Sequence, residues 1–139
     1  MSNAKQPEIV YQDECISIPL AVFFVLLEAL VLLRGFAVGI ELTHLIIAIS
    51  LLFIYVQFFS LRTTVTRDEL VVSYGIGLIQ NGFSLSALEN MRVETDHNML
   101  SWLYDPFGSE VVSIGVRMGK RLQIPTHEPA QLLTAMRSR

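Results

Sequence analysis

The chain has 139 residues, of which 52% are hydrophobic and 17% are charged, and its formal net charge at pH 7 is −3. A chain of this length can hold only one small soluble domain, and its acidic balance argues against a nucleic-acid partner, which would require a basic surface. Cys15 is the single cysteine, which excludes an internal disulfide and leaves no cysteine-based metal motif visible in the sequence.

Two long apolar runs lie in the first 59 residues. Residues 16–33 carry one charged side chain, and residues 40–59 carry one carboxylate and one histidine. A helix needs about 20 apolar residues to cross a hydrocarbon core about 30 Å thick, so each run is long enough to span a bilayer. The sequence therefore predicts three parts: an N-terminal flank (1–15), a transmembrane hairpin (16–59, with helices 16–33 and 40–59) and a soluble domain (60–139).

The positions of Lys and Arg predict the orientation of this hairpin. The short loop between the runs has Arg34, whereas the outer flanks have Lys5, Arg62 and Arg67. Because positive residues favour the cytoplasmic side, we expect both termini in the cytoplasm and the protein in the inner or plasma membrane. The first run is followed by no small-residue cleavage site, so we interpret it as a retained helix and not as a signal peptide.

Four polar residues of the hairpin are candidates for contacts within the membrane. If the loop is centred near residues 36–37, antiparallel packing sets Glu28 at the depth of His44, and Arg34 near Glu41. A Glu28–His44 hydrogen bond would hold the two helices together. The alternative is a proton or ion path, for which further helices would be needed.

From residue 61 onward the apolar residues alternate with polar ones, which indicates half-buried strands. Turn residues at 67–68, 75–77 and 118–120 separate these strands, and the pattern predicts six or seven antiparallel strands. A C-terminal helix follows, for which Thr126 can supply the cap. Its apolar stripe is expected to be buried and comprises Leu132, Leu133 and Met136.

Four segments carry a resemblance to a known family: RTTVTRDEL (62–70), YGIGLIQNGFSL (74–85), ALENMRV (87–93) and KRLQIPTHEPAQLL (120–133). They resemble bacterial membrane proteins with a pleckstrin-homology-like (PH-like) domain. In that family two transmembrane helices precede a small antiparallel sheet that is capped by a C-terminal helix. The resemblance implies a membrane α-helical hairpin plus a soluble α+β domain, a PH-like sheet or barrel of six to seven strands with one capping helix.

An aromatic segment, residues 96–108, interrupts the strand pattern. Trp and Tyr favour the membrane interface, and exposed aromatic residues also anchor protein contacts. One hypothesis is that the segment touches the membrane or a partner; the other is that it folds over the open end of the sheet. The family often has an arginine in this stretch, and this chain lacks it. The candidate contact residues are Trp102, Leu103, Tyr104 and Phe107.

A basic turn is the second candidate surface, with Arg117, Lys120 and Arg121 close together in sequence. These cations are interpreted either as contacts for anionic lipid head groups or as an ordinary solvated turn. The family resemblance supplies no lipid-binding motif that matches this turn.

The sequence contains no recognisable catalytic constellation. His97 and His127 have no metal-ligand spacing, and neither a nucleophile elbow nor a dinucleotide-binding motif occurs. We therefore expect no enzyme activity, no cofactor and no metal site. Two functions remain open: a membrane-tethered module that binds or scaffolds a partner protein, or an accessory subunit of a transporter or other membrane complex, docked through Glu28 and His44. The expected partners are the lipid bilayer, a membrane or cytoplasmic protein, or a second copy of the chain.

Overall fold

Seven strands and four α-helices make up the fold in a computed structural model, which describes residues 8–95, 98–106, 108 and 110–138. The elements in chain order are β1 (Ile9–Ile16), α1 (Ile18–Val38), α2 (Leu42–Phe58), β2 (Ser60–Thr66), β3 (Glu69–Tyr74), β4 (Ile79–Ser84), a 3-10 turn (Leu85–Ala87), β5 (Leu88–Glu94), α3 (Met99–Tyr104), β6 (Val111–Val116), β7 (Lys120–Pro125) and α4 (Pro129–Arg137). The strands form two antiparallel sheets, with orders β1-β2-β3-β4 and β5-β6-β7. The fold is therefore α+β.

Strand β1 is the main difference from the sequence prediction, which assigned residues 1–15 to a flank. The strand pairs with β2 in antiparallel register, from Ile9 opposite Thr66 to Ile16 opposite Ser60. Its less exposed positions alternate, as in any half-buried strand, but they carry polar or titratable side chains: Tyr11, Asp13 and Cys15. Because these side chains are not a hydrophobic stripe, the apolar pattern did not reveal the strand.

The two long helices are inserted between the adjacent strands β1 and β2. Ser17 alone joins β1 to α1, and Phe59 alone joins α2 to β2. The Ser17 N–H donates to the Phe59 carbonyl at 2.8 Å, and the Ser17 hydroxyl caps α1 by accepting from Leu20 N–H. Both ends of the helical hairpin therefore meet at the same end of the sheet, without a flexible linker.

Helix α1 runs past its predicted end at residue 33 and reaches Val38. Gly35 does not break it; this glycine is buried and faces the His44 ring, and an added Cβ atom would lie 3.6 Å from that ring, an ordinary contact distance. The connection is consequently centred near residue 40, and the helix register shifts. Glu28 lies beside Leu51 and Leu52 instead of His44, so the predicted Glu28–His44 hydrogen bond is wrong.

The core lies between the two sheets and under α4. Its buried residues include Leu70 from the first sheet and Ile114 from the second. The predicted strand number, the antiparallel pairing and the C-terminal helix are confirmed, and so is the helix stripe: Leu132 and Met136 are fully buried and Leu133 is half-buried. The predicted cap is wrong, because Glu128 occupies the N-cap position; Thr126 Oγ1 accepts from the Glu128 N–H at 3.3 Å and donates to Asp13.

Gly75 supports a first testable prediction, because it lies where the β3–β4 turn meets α2. Its φ is +50°, and a Cβ atom there would lie 2.3 Å from the carbonyl oxygens of Val56 and Gln57. We expect Gly75→Ala to lower the free energy of unfolding by about 2–4 kcal/mol, since both backbone strain and a clash result. Thermal unfolding of the detergent-solubilised full chain measures this change.

Gly82→Ala is the matched control. Gly82 lies in β4, and a Cβ atom added there meets no atom within 4 Å. The control should change stability by less than about 1 kcal/mol. If the two variants have equal unfolding midpoints, the β3–β4 turn does not lie in close contact with the end of α2.

Candidate functional site

Three further elements meet at the end of the sheet where β1 and β2 join the helices. We call this end of the sheet the helix-proximal end. The β3–β4 turn is fixed there by the Gly75 N–H, which donates to Ser60 O at 2.8 Å. Helix α3 is fixed by the Tyr104 hydroxyl, which donates to Phe58 O at 2.8 Å. The end of β7 also lies there, because the Cys15 thiol reaches Pro125 O at 3.6 Å. The helix-proximal end is therefore a surface built from several parts of the chain.

Helix α3 contains three of the four candidate contact residues of the aromatic segment, and these three differ in exposure. Tyr104 is 3% exposed, and Leu103 is half-buried and accepts from the Ser17 hydroxyl at 2.6 Å through its carbonyl. Burial raises the pKa of Tyr104 to about 12, so its hydroxyl stays a donor. Trp102, by contrast, is 54% exposed. Phe107 lies outside the described residues.

The β3–β4 turn adds an exposed apolar surface that the sequence reasoning missed. Its glycines indicated a turn, and the apolar residues around them received no role. A signal was present, since polar residues usually dominate turns and this one reads Gly-Ile-Gly-Leu-Ile. With the exposed side chains of α3 it forms what we call the apolar rim: Ile76, Leu78, Ile79, Met99 and Trp102.

The helical hairpin itself is apolar on its outside. By length and composition α1 is long and apolar enough to cross a membrane, and α2 is a shorter apolar helix of 17 residues. The ring of Phe24 contacts that of Tyr55 at a centroid distance of 5.5 Å, which joins the two helices. Large apolar side chains such as Phe36 and Ile49 remain exposed. An apolar surface of this kind on a soluble protein would be expected to be covered.

The polar residues of the hairpin lie at two different heights. Arg34, Glu41 and His44 line one recess at the loop end, where the Glu41 N–H donates to His44 Nδ1 at 3.4 Å. Glu28 lies nearer the middle, in an apolar cleft of about 430 Å³ that is also lined by Tyr55. The structure thus brings three of the four predicted residues together and separates Glu28 from them.

A polar cluster ties β1 to the connection between β7 and α4. Asp13 Oδ2 accepts from the Thr126 hydroxyl at 2.8 Å and from the His127 N–H at 2.9 Å, and Asp13 Oδ1 lies 3.0 Å from His127 Nδ1. Cys15 Sγ lies 3.7 Å from the same ring nitrogen. Burial alone raises the Asp13 pKa, but the hydrogen bonds from His127 and Thr126 outweigh it and hold that pKa below its usual value.

The sequence shows no cysteine-based metal motif at Cys15 and no metal-ligand spacing at His127. The cluster was missed because its two halves lie at opposite ends of the chain and no local spacing connects them. It does not form a cysteine–histidine–aspartate relay, since one ring nitrogen faces both Cys15 and Asp13, whereas a relay uses the two nitrogens separately. Burial also raises the pKa of the Cys15 thiol to about 12, which disfavours a nucleophilic thiolate.

The basic turn lies at the other end of the domain. Arg117 N–H donates to Ala87 O at 3.1 Å, and Leu85 N–H donates to Asp68 O at 2.9 Å, which sets this turn beside the β2–β3 turn. Strand β2 separates the β2–β3 turn from the helices by about 20 Å, at about 3.3 Å per residue. The structure therefore places the three predicted head-group contacts away from the helix-proximal end: Arg117, Lys120 and Arg121.

No protein-family model, curated protein or solved structure is significantly similar to this chain. Functional inference therefore depends on the geometry described above and on the sequence resemblance.

The lowered pKa of Asp13 supports a second prediction. A carboxyl group whose pKa is lower in the folded state contributes stability that is present above its unfolded value, 3.8, and is lost as the pH falls through the folded value. We expect Asp13→Asn to lower the free energy of unfolding by about 1–3 kcal/mol at pH 7. The difference from wild type should shrink below pH 3.8, as thermal unfolding at a series of pH values will show.

Asp68→Asn serves as the control, since Asp68 is an exposed aspartate at the far end of the domain. Its unfolding curves should follow those of the wild type at every pH. A stability difference for Asp13→Asn that stays constant down to the lowest pH would refute the assigned role of the carboxylate.

Proposed function

We propose that this protein is an integral membrane protein in which α1 and α2 cross the bilayer as a hairpin. Its sheet domain then acts at one membrane surface as a PH-like, non-catalytic module that binds or scaffolds a protein partner. The main support for this topology is the pairing of β1 with β2. Because the two strands are hydrogen-bonded neighbours, the chain must leave and return on the same side of the membrane. If α1 crosses the bilayer, α2 must cross back.

Helix lengths support two crossings. At 1.5 Å per residue, the 21 residues of α1 span about 32 Å and the 17 residues of α2 span about 26 Å. The shorter helix is at the lower limit for a transmembrane span. The polar residues Arg34, Glu41 and His44 lie at the loop end of the hairpin, where they would reach the far interface.

The apolar rim supports a position of the domain directly on the membrane. A rim residue such as Trp102 is exposed beside the start of α1, at the height where the helices would enter the lipid. Tryptophan is enriched at this interface because its ring is apolar and its N–H is polar. Ile76 and Leu78 are exposed on the neighbouring turn. We infer that these side chains contact the same leaflet through which the hairpin enters.

The sheet arrangement agrees with the PH-like domain that the sequence resemblance implies. A four-stranded and a three-stranded antiparallel sheet are followed by one C-terminal helix. One feature departs from the family pattern, in which the helices precede the domain, since here they lie between the first and second strands. The N-terminal strand is therefore part of the proposed domain.

Strand β4 is the surface best suited to bind a protein. It is an edge of the four-stranded sheet and its residues are mostly exposed. An exposed edge presents unpaired backbone groups to which an extended segment of another protein can add as a further strand. The distribution of positive residues favours a cytoplasmic position for this edge.

Glu28 favours a second candidate function, that of an accessory subunit of a membrane complex. A carboxylate within a membrane is costly unless it is paired, and among the described residues no hydrogen bond or ion pair to Glu28 occurs. The apolar cleft around it, between α1 and α2, is of a size to receive side chains from another transmembrane helix.

Cysteine labelling tests the proposed topology. In a Cys15→Ala background, we expect Ile40→Cys in the helix connection and Met118→Cys in the β6–β7 turn to react with a membrane-impermeant maleimide from opposite sides of the membrane. Both positions are strongly exposed, so reactivity reports access. Labelling of intact cells and of inverted vesicles measures it. Reaction of both cysteines from the same side would exclude the two-span hairpin.

A shortened chain separates the two candidate functions. Because Ile16 pairs with Ser60, residues 17–59 can be replaced by Asn-Gly, a two-residue turn that suits an antiparallel hairpin. We expect this chain to be membrane-free, to remain folded and to retain the partners that affinity purification finds with the full chain. Circular dichroism and mass spectrometry measure these properties.

Full-length Glu28→Leu provides the complementary variant, with Glu41→Leu at the loop end as its control. If the helices alone dock the protein, the shortened chain and Glu28→Leu lose the partner while Glu41→Leu keeps it. That outcome would support the accessory-subunit function and overturn the binding module.

A further inference from the structure

The Asp13–Cys15–His127 cluster contains three different kinds of metal ligand in one place. The carboxylate oxygen, the thiol sulfur and the ring nitrogen all lie within 4.8 Å of one another. The oxygen–nitrogen distance is 3.0 Å and the sulfur–nitrogen distance is 3.7 Å. Three donors on two distant segments of the chain are thus already close together in the folded protein.

The two distances to the ring nitrogen are close to those of a tetrahedral zinc site. Zinc binds sulfur at about 2.3 Å and nitrogen or oxygen at about 2.0–2.2 Å, so ligands of one tetrahedral ion lie about 3.3–3.6 Å apart. The oxygen–nitrogen and sulfur–nitrogen distances differ from these values by a few tenths of an ångström, and the sulfur and the oxygen lie within 4.8 Å of each other. Binding of one ion therefore requires the sulfur and the oxygen to approach each other by up to about 1.2 Å, through rotation of the two side chains.

The groups around the cluster hold the ligands in suitable orientations. The Thr126 hydroxyl and the His127 N–H both donate to Asp13 Oδ2, while Oδ1 accepts from the Glu14 N–H at 2.9 Å and faces the His127 ring. The Tyr11 hydroxyl lies 2.7 Å from Thr126 Oγ1 and extends this network. Such outer hydrogen bonds fix the direction of metal ligands and strengthen binding. The His127 side chain is 60% exposed, so an ion can approach from solvent.

We propose that Asp13, Cys15 and His127 bind a zinc ion through Asp13 Oδ1, Cys15 Sγ and His127 Nδ1, with a water molecule in the fourth position. Cys15 releases its thiol proton to solvent when the ion binds, and the neutral imidazole keeps its proton on Nε2. The mixture of thiolate, imidazole and carboxylate selects zinc or a similar transition-metal ion over magnesium or calcium. The spacing of residues along the sequence gave no indication of this site.

The proposed ion would join the N-terminal strand to the start of the last helix. Cys15 lies three residues before α1 begins, and His127 lies two residues before α4 begins. Zinc would therefore stabilise the closure of the domain at the base of the hairpin. This inference is independent of the proposed membrane function, because it depends only on the contact between β1 and the β7–α4 connection.

Cobalt titration of the full chain in detergent, with any affinity tag removed, tests the proposal. We expect one Co²⁺ per chain, with the visible absorption of tetrahedral cobalt and a thiolate-to-cobalt charge-transfer band. Because Cys15 is the only cysteine, that band reports on this site alone. Added Zn²⁺ should abolish both signals and raise the thermal unfolding midpoint of the wild type, since a ligand of the folded state stabilises it.

Single substitutions identify the ligands. Cys15→Ser should remove the charge-transfer band, and His127→Ala and Asp13→Ala should each weaken cobalt binding by at least about tenfold. His44→Ala is the matched control and should bind like the wild type, since His44 lies at the loop end of the hairpin. Circular dichroism without metal checks the fold of each variant.

The wild type alone can overturn the proposal, even if a variant fails to fold. If the charge-transfer band is absent and zinc does not change the unfolding midpoint, the three side chains are held together by hydrogen bonds alone and do not bind zinc. A stoichiometry of one ion per two chains would likewise reject it, because the site would then lie between molecules.

Discussion

Hydrogen bonding between β1 and β2 closes the base of the helical hairpin, and the arrangement of the other elements depends on it. The last residue pair, Ile16 with Ser60, stands immediately before and after the helices, and the Ser17–Phe59 hydrogen bond completes the closure. The helices cannot separate at their base without breaking this ladder. Each backbone hydrogen bond contributes about 1 kcal/mol, and these bonds break together. The two helices are therefore held firmly to each other at the base of the hairpin.

Elements of the sheet domain pack against the base of the hairpin and join the helices and the domain into one unit. Tyr104 bonds to the last turn of α2 through Phe58, and the turn at Gly75 lies against the carbonyl groups of the same helix end. A domain attached by a flexible linker would have no such contacts. A displacement of the helices would therefore be passed to α3 and to the β3–β4 turn, which carry the apolar rim.

Local patterns predicted the parts of the fold in which a hydrophobic period or a turn residue decides the structure. The alternation around Leu70 and the stripe at Leu132 are examples, because burial of apolar side chains dominates there. Strand β1 could not be predicted, since its inward positions hold Asp13 and Cys15 and it is stabilised by distant partners. The helix register could not be predicted, because α1 continues to Val38 through Gly35, a residue type that disfavours helix.

The insertion of the hairpin between β1 and β2 also constrains how the domain can form. Strand β1 is synthesised first, but its partner strand follows only after both helices, so the sheet cannot close before the hairpin does. Long-range strand pairing of this kind is slow, because the loop must close before its contacts form. If the hairpin inserts into a membrane as proposed, insertion brings Ile16 and Ser60 together and removes most of that cost. The contact between Asp13 and His127 joins segments 114 residues apart and carries the same loop-closure cost.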